Sequence, residues 1–246
     1  MKFSANLGFL WADRPLPDAI RAARDAGFDA VELHWPYATP AADVAAALAE
    51  TGLPCLGLNT SKGDGNGLGA LPGRGAEARA AIDEAVAYAR AIGAGAVHAM
   101  AGFAEEPEAD AAFRDSLAYA CDAAPDLTIL IEPLNRYDAP GYFLTTTTQA
   151  RAIIDAVARP NLKLMFDCYH VQAMEGDLTR RFAACRDHIG HVQFASIPDR
   201  GSPDTGEIAY DRLLPALDWD GPLGAEYKPG GDTDATLGWL PRFRDL

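Results

Sequence analysis

The amino-acid sequence predicts an α/β protein that folds as one (β/α)8 TIM barrel over residues 1–246. One phrase, an alanine-rich amphipathic helix followed by a small turn and a short apolar strand, recurs at intervals of roughly 25 to 35 residues, the length of a β–α unit. Eight apolar strands can be counted along the chain. Its length of 246 residues is typical of a closed barrel of eight such units.

The predicted helices and strands alternate regularly. The clearest helix-to-strand copies are AIRAARDAGFDAVEL (19–33), AVAYARAIGAGAVHAMAG (85–102) and ARAIIDAVARPNLKLMFD (150–167). A glycine or proline follows each helix, as expected of a stop signal. Because helices separate the strands, the strands should be parallel and buried on both faces. The predicted strands lie at 3–9, 30–33, 55–59, 96–100, 127–131, 162–166, 189–194 and 222–225.

An open, doubly wound sheet is the main alternative to a closed barrel. Such a sheet would ordinarily carry a GxGxxG turn after its first strand, and the sequence has none there. No linker, low-complexity tract or break in composition divides the chain. We therefore expect residues 1–246 to form a single domain.

Composition and charge exclude several classes of function. The net charge is −14 and the sequence pI is about 4.6, a balance that repels phosphate backbones, so we expect no nucleic-acid partner. No apolar stretch approaches the roughly 20 residues of a membrane helix, and we expect no membrane partner. Four cysteines without CxxC spacing indicate free thiols and a cytoplasmic protein. The oligomeric state is left open, a homo-oligomer included.

Polar side chains end the predicted strands. Glu132 is the plainest case, because it follows the apolar run LTILI (127–131) and precedes Pro133, which cannot donate to a sheet ladder. In a barrel the carboxyl ends of all strands converge on one mouth, where active sites are built. The polar ring expected at this mouth consists of Asn6, Glu32, Asn59, His98, Glu132, Asp167, Gln193 and Glu226.

Four members of this ring, on the fifth to eighth predicted strands, indicate a metal site: Glu132, Asp167, Gln193 and Glu226. Three carboxylates in one small space repel one another unless a cation neutralises them. Oxygen ligands favour a hard divalent ion, Mg²⁺ first and Mn²⁺ next, whereas zinc more often recruits cysteine or several histidines. The competing interpretation is that each carboxylate caps a following helix or pairs with an arginine.

Other polar residues are predicted to bind the substrate. His170 follows Asp167 by three positions, and Arg200 lies in the loop after the seventh predicted strand, where a cation can hold an anionic substrate. Their competing interpretations are a loop histidine bonded to backbone and a surface arginine. The predicted substrate-binding residues are Asn6, Asn59, His98, His170, Arg200 and Lys228.

The remaining candidates are weaker. His34 and Trp35 are predicted to form one wall of the pocket, or only to pack within a loop. His188 and His191 precede or begin their strand, at the other end of the barrel, and are predicted to be structural. The glycine-rich segment 62–74 lacks the GxxxxGK[ST] order of a phosphate-binding loop, so we interpret it as a mobile lid over the mouth.

Long motifs in order along the chain resemble the hydroxypyruvate isomerase family, which belongs to the xylose isomerase-like TIM barrels together with ketose 3-epimerases. The motifs include AVELHWPY, IEPLNRYDAPGYFL, RPNLKLMFDCYHVQAMEGDL, IGHVQFASIPDRGSPDTGEIAY and GAEYKPGG. The resemblance covers essentially the whole chain. It implies that Glu132, Asp167, Gln193 and Glu226 bind a divalent metal, and that Glu132 and Glu226 are also the proton donor and acceptor.

The ring and the resemblance together favour an aldose–ketose isomerase of a small hydroxy-oxo acid, by resemblance hydroxypyruvate to tartronate semialdehyde. A divalent metal would polarise the carbonyl and stabilise an enediolate, while two glutamates move the proton between neighbouring carbons. The sequence departs from the family in LNTSKGDGNG, in Asp199 and in a short stretch at 99–110, all near the pocket rim. These departures affect the expected substrate more than the chemistry.

Four rival functions stay open at this stage. A 2-oxo-tetronate isomerase would use the same chemistry on a four-carbon acid. A ketose 3-epimerase would use the same glutamates, but such enzymes tend to have histidine where this chain has Gln193. From another class, the barrel would be a metal- or sugar-binding module without turnover, against which both glutamates weigh. A barrel endonuclease would need more histidine ligands and a basic face.

Overall fold

The computed structural model describes residues 1–105 and 107–246. Glu106, within the short stretch after the fourth predicted strand, lies outside the described residues. The strands are β1 (Phe3–Asn6), β2 (Ala30–Glu32), β3 (Leu58–Asn59), β4 (Ala96–His98), β5 (Thr128–Ile131), β6 (Leu162–Asp167), β7 (Ile189–Phe194) and β8 (Leu223–Ala225). The helices are α1 (Leu16–Asp25), α2 (Ala41–Thr51), α3 (Gly75–Ile92), α4 (Glu108–Ala123), α5 (Thr147–Val157), α6 (Cys168–Met174), α7 (Leu178–Cys185), α8 (Tyr210–Ala216) and α9 (Trp239–Arg244).

The strands form a nearly closed barrel. All pairs are parallel, and the order within the sheet is β2-β1-β8-β7-β6-β5-β4-β3. The remaining seam between β2 and β3 is bridged by Val31 and Cys55, and the amide of Leu56 donates to the carbonyl of Val31 at 2.8 Å. The predicted (β/α)8 TIM barrel is confirmed.

The strands follow the sequence pattern because most of their residues are buried. The four residues of β1 are all buried, as are the three of β8. The strand predicted over 3–9 ends at Asn6, since the Asn6 side chain accepts the amide of Gly8 at 3.0 Å and its carbonyl accepts the amide of Leu10 at 3.0 Å. These two bonds turn the chain away from the sheet at the level of the mouth.

The helices pack around the barrel through apolar side chains. Ala19, Ile20 and Ala23 of α1 are buried, and the burial recurs at helical spacing. Trp239 of α9 packs against the strands, where its ring lies edge-on to Phe3 of β1 at 5.2 Å and to Phe194 of β7 at 5.5 Å. Among the described residues, no helix combines the length and the apolar character needed to cross a bilayer.

Candidate active site

The carboxyl ends of the strands bring the predicted polar ring to one edge. Asn6 lies beside Glu32 in register, Asn59 beside His98, and Asp167 beside Gln193. A cavity of about 280 Å³ opens above them. Its lining includes Phe9, His34, Trp35, Asn59, Asn66, His98, Glu132, Asp138, His170, Arg200, Glu226 and Lys228.

Glu226 is the most strongly held carboxylate of this site. It accepts hydrogen bonds from Asn6 Nδ2 at 3.0 Å and Arg200 Nη2 at 2.5 Å, and it lies 2.8 Å from His34 Nε2. Burial alone would raise the pKa of Glu226, but the charge of Arg200 and the contact with His34 outweigh it and lower this pKa to about 2. Glu226 is therefore ionised at neutral pH.

Glu132 is equally buried but lacks such donors. Its Oε1 has no hydrogen-bond partner among the described residues, and its nearest basic groups are the imidazoles of His170 at 3.7 Å and His98 at 3.8 Å. Burial, followed by the negative charges of Glu226 and Asp167, raises the pKa of Glu132 well above its usual value. The two glutamates thus differ in their readiness to hold a proton.

Asp167 performs two tasks. Its Oδ1 accepts the amide of Tyr169 at 2.8 Å and so caps α6, which is the capping role weighed in the sequence. Its Oδ2 stays in the site, 3.5 Å from Arg200 Nη2. Burial raises the pKa of Asp167 to about 7, although Arg200 opposes this shift.

His170 is held in one tautomer. The backbone amide of Asn135 donates to His170 Nδ1 at 3.0 Å, so Nδ1 is an acceptor without hydrogen. Burial and the nearby charge of Arg200 lower the pKa of His170 well below its usual value, which keeps the ring neutral. The hydrogen must then sit on Nε2, which faces Glu132 and Asp167 at 3.7 and 3.6 Å. His170 therefore offers a donor to the site, and a nitrogen carrying hydrogen is not a metal ligand.

The donor atoms fit a hard divalent cation. Glu132, Asp167 and His170 place one ligand-type atom each within 4.8 Å of one another. Because Nε2 of His170 carries a hydrogen, the oxygens of Glu132 and Asp167 are the better ligands of this cluster. Oε1 of Gln193 is a further buried oxygen without a hydrogen-bond partner in the part of the chain that the structure describes. A bound cation would satisfy the unpaired buried oxygens and would offset the repulsion that raises the pKa values of the carboxyl groups.

The two predicted cationic anchors lie differently. Arg200 is 11% exposed and is not a surface residue, because Glu226 binds its guanidinium and the rings of Phe9 and Tyr169 lie 4.9 and 5.1 Å from it. Lys228 is exposed and lines the cavity. Both reach the mouth, and their roles towards a substrate stay predictions.

Two further predicted residues also lie at the mouth. His98 and Asn59 line the cavity together, with His98 Nδ1 3.2 Å from Asn59 Oδ1. Burial lowers the pKa of His98 to about 4, so this ring is neutral. The segment 62–74 contributes Asn66 to the lining, and backbone bonds from Gly69 to Met100 and from Ala70 to Ala101 tie it to the loop after β4.

Two contacts escaped the sequence reasoning. His34, predicted only as a wall, reaches Glu226, and a β-carbon at Gly8 would collide with its ring. Glu32, grouped with the ring, extends beneath it to Gln193, with Oε2 accepting Gln193 Nε2 at 2.7 Å. The absence of a side chain at Gly8 was the available signal for the first contact, and the absence of one at Gly224 was the signal for the second.

Comparison with known proteins places this architecture in a family. The model of the family described as "Xylose isomerase-like TIM barrel" matches residues 20–243. The 2-oxo-tetronate isomerase of Cupriavidus necator is 40% identical over 98% of this chain and 98% of its own length. The hydroxypyruvate isomerase of Escherichia coli is 38% identical over 99% of this chain and 100% of its own length.

A solved structure has the same fold over its full length. The crystal structure of a protein from Brucella melitensis, described as AP endonuclease, family 2, matches with a TM-score of 0.94 and 36% identity, covering 98% of both chains. The similarity to each of these three proteins covers 98% or 99% of the chain.

Proposed function

This chain is an isomerase of the xylose isomerase-like TIM barrel family, and we propose that it interconverts hydroxypyruvate and tartronate semialdehyde (2-hydroxy-3-oxopropanoate). The observation that carries this proposal is the contrast between two glutamates that face one small cavity. Glu226 is ionised, with a pKa lowered to about 2, while the pKa of Glu132 is raised. One group is ready to accept a proton and the other to donate one.

The reaction moves one carbon-bound hydrogen between neighbouring carbons. In the direction from hydroxypyruvate, Glu226 removes a proton from the hydroxymethyl carbon, and the electron pair left behind forms an enediolate. Glu132 then delivers a proton to the former carbonyl carbon, while the hydroxyl hydrogen of the hydroxymethyl group passes to the former carbonyl oxygen, so that an aldehyde and a neighbouring hydroxyl group result. Exchange with solvent afterwards removes the proton from Glu226 and restores the one on Glu132.

Arg200 connects substrate binding to the strength of the base. A base with a pKa near 2 is weak, because proton transfer is most efficient when the pKa lies near the working pH. An acid substrate whose carboxylate draws the guanidinium of Arg200 away from Glu226 would raise the pKa of Glu226. An anionic substrate thereby activates the group that attacks it, and a neutral ketose does so less.

His170 completes the constellation as a hydrogen-bond donor. Its Nε2 carries the hydrogen and has no hydrogen-bond partner among the residues described, so it can donate to a substrate oxygen on which negative charge develops. A divalent cation, Mg²⁺ favoured and Mn²⁺ next, would be held by Glu132, Asp167, Gln193 and Glu226, where it would polarise the carbonyl and offset negative charge.

A four-carbon acid is the second candidate substrate. The relatives named for 2-oxo-tetronate and for hydroxypyruvate are 40% and 38% identical to the chain, over nearly the same length, so similarity alone does not separate them. Both acids carry the carboxylate that Arg200 or Lys228 would meet.

The experiment that tests the proposal follows the hydrogen by NMR. Protein supplied with Mg²⁺ is incubated in D₂O with hydroxypyruvate, with 2-oxo-tetronate and with a series of ketoses. We expect tartronate semialdehyde to form with one solvent deuterium at its C2, since Glu132 draws its proton from solvent. Product whose C2 hydrogen comes from the substrate and not from solvent would contradict two separate glutamates. Faster turnover of the four-carbon acid or of a ketose would reassign the substrate.

A further inference from the structure

Glu32 reaches across the barrel interior to the side chain of Gln193. It belongs to β2, and Gln193 to β7, with β1 and β8 between them in the sheet. Gly224 makes the reach possible, because a β-carbon there would collide with Glu32 Oε1 and lie 2.8 Å from Cγ of Gln193. The contact between Glu32 and Gln193 therefore depends on the absence of a side chain at Gly224.

The carboxylate of Glu32 is held by three neighbours. Ser4 Oγ donates to its Oε1, His191 Nε2 lies 3.1 Å from the same oxygen, and Gln193 Nε2 donates to its Oε2 at 2.7 Å. All four residues are buried. With Ser4 and His191 on one oxygen, the other is free to bind the amide of Gln193.

This contact decides which end of the Gln193 amide faces away from Glu32. An ionised carboxylate only accepts hydrogen bonds, so the amide must turn its NH₂ group towards Glu32. Its Oε1 is then directed away from Glu32, and this buried oxygen has no hydrogen-bond partner within residues 1–105 and 107–246. Gln193 is the register neighbour of Asp167, so both side chains leave their strands at the same level of the site.

We propose that Glu32 is a positioning residue of the metal centre, which fixes the amide of Gln193 so that its oxygen, and not its NH₂ group, faces the cation. The inference rests on the proposed metal-dependent function. An amide that is free to rotate would present its NH₂ hydrogens to a cation for part of the time and would bind it less well. Glu32 would act on the metal without touching it.

The test measures the affinity for Mn²⁺ by electron paramagnetic resonance of the full-length chain, without substrate. Glu32→Gln keeps the length of the side chain but can either donate to Gln193 or accept from it, so it no longer fixes the amide. We expect the Kd for Mn²⁺ to rise by about 10- to 100-fold, the usual effect of losing such a partner. In a Gln193→Ala background, Glu32→Gln should change the Kd by less than about twofold, because no amide is left to orient.

Ser4→Ala is the matched control. It removes a donor to the same carboxylate but leaves the bond to Gln193, so the Kd for Mn²⁺ should stay within about twofold of wild type. Where Glu32→Gln does not fold, Glu32→Asp retains the charge beside His191 but withdraws the carboxylate from Gln193, and the same weakening is expected.

Two negative results have different meanings. Wild-type affinity in a folded Glu32→Gln or Glu32→Asp variant would overturn the inference, as would an equal loss in the Gln193→Ala background. A wild-type protein that binds no Mn²⁺ would instead overturn the proposed metal centre, and the role of Glu32 with it.

Discussion

The barrel holds two buried glutamates that have opposite protonation preferences. Glu132 in the mouth and Glu32 beneath it are each 5% exposed, so burial does not distinguish them. Burial raises the pKa of both groups, yet the pKa of Glu32 ends below its usual value because His191, Ser4 and Gln193 outweigh it. Glu132 lies near the carboxylates of Glu226 and Asp167 instead, and its pKa ends above its usual value.

The difference separates a structural carboxylate from a functional one. The lower glutamate has its charge and its oxygens matched by the protein, whereas the upper one has an oxygen without a hydrogen-bond partner in the described part of the chain. A fold retains such an uncompensated group where a ligand, a cation or a proton supplies what is missing. We therefore assign the chemistry to Glu132 and the other mouth residues, which form the upper layer of the site. Glu32, with Ser4 and His191, forms a lower layer that supports it.

The largest effect is expected from removing either mouth glutamate. Glu226→Gln and Glu132→Gln keep the shape of the side chain but remove the proton-transfer group, so kcat should fall by about 10²- to 10⁴-fold. Steady-state kinetics on hydroxypyruvate measures this loss. The melting temperature of Glu132→Gln should not fall, because the amide no longer adds charge to a crowded site.

A matched control for these variants is Glu50→Gln on α2, which removes an exposed carboxylate paired with Arg21 and should leave kcat unchanged. More than about a tenth of wild-type kcat in either mouth variant would show that its residue is not an essential proton carrier.

The sequence predicted the mouth well because strand ends are visible in it. An apolar run that ends in a polar residue predicts both a strand and its carboxyl end. This pattern located Asp167, Gln193 and Glu226. What lies across the barrel is not visible, since the reach of Glu32 to Gln193 and of His34 to Glu226 depends on side-chain rotamers and on gaps at glycines. The burial of Arg200 against Glu226 was missed for the same reason.

The second effect concerns stability and belongs to the lower layer. His191→Leu would leave Glu32 buried without its cationic partner, and breaking a buried ion pair in this way costs about 3–5 kcal/mol of unfolding free energy. Adding Glu32→Gln to His191→Leu removes the unpaired charge and should recover much of this loss. Urea denaturation at pH 6 measures both variants.

The surface pair of His188 and Asp155, joined at 2.9 Å, is the control, and His188→Leu should cost at most about 1 kcal/mol. Equal losses of unfolding free energy in His188→Leu and His191→Leu would show that His191 and Glu32 do not form a stabilising buried ion pair.

The pH dependence of this stability has a defined window. The pKa of His191 is raised, because the charge of Glu32 outweighs the effect of burial, so its contribution is complete below about pH 6.5 and is lost as the pH rises through the folded-state value. The pKa of Glu32 is lowered, so its contribution is present above about pH 4.5 and is lost on further acidification. The pair should therefore stabilise the fold most between these limits, and His191→Leu should abolish the decline above pH 6.5.

The third effect separates the layers by their response to metal. Mg²⁺ or Mn²⁺ at a hundred times its Kd should add about 2.7 kcal/mol to the unfolding free energy, measured as a rise in melting temperature after a chelator has been removed. The Glu132→Gln/Asp167→Asn double variant should show no such rise, whereas His191→Leu should keep it. Full activity and unchanged melting of chelated wild-type protein would contradict the metal site.

The smallest effects concern the two cations at the mouth. Arg200 binds Glu226, and losing a charged hydrogen bond costs roughly 1.5–3 kcal/mol, so Arg200→Met should lower kcat/KM for hydroxypyruvate by about 10- to 150-fold. The loss should appear mainly in KM, because without the guanidinium the pKa of Glu226 rises and the base is not weakened.

Lys228 is exposed, and a solvated ion pair contributes at most about 1 kcal/mol, so Lys228→Met should raise KM about two- to fivefold without changing kcat. Turnover of a neutral ketose, where measurable, should be unaffected by Lys228→Met. If Arg200→Met handles the acid normally while Lys228→Met does not, the substrate carboxylate is held at the rim by Lys228, and the activation of Glu226 through Arg200 is wrong.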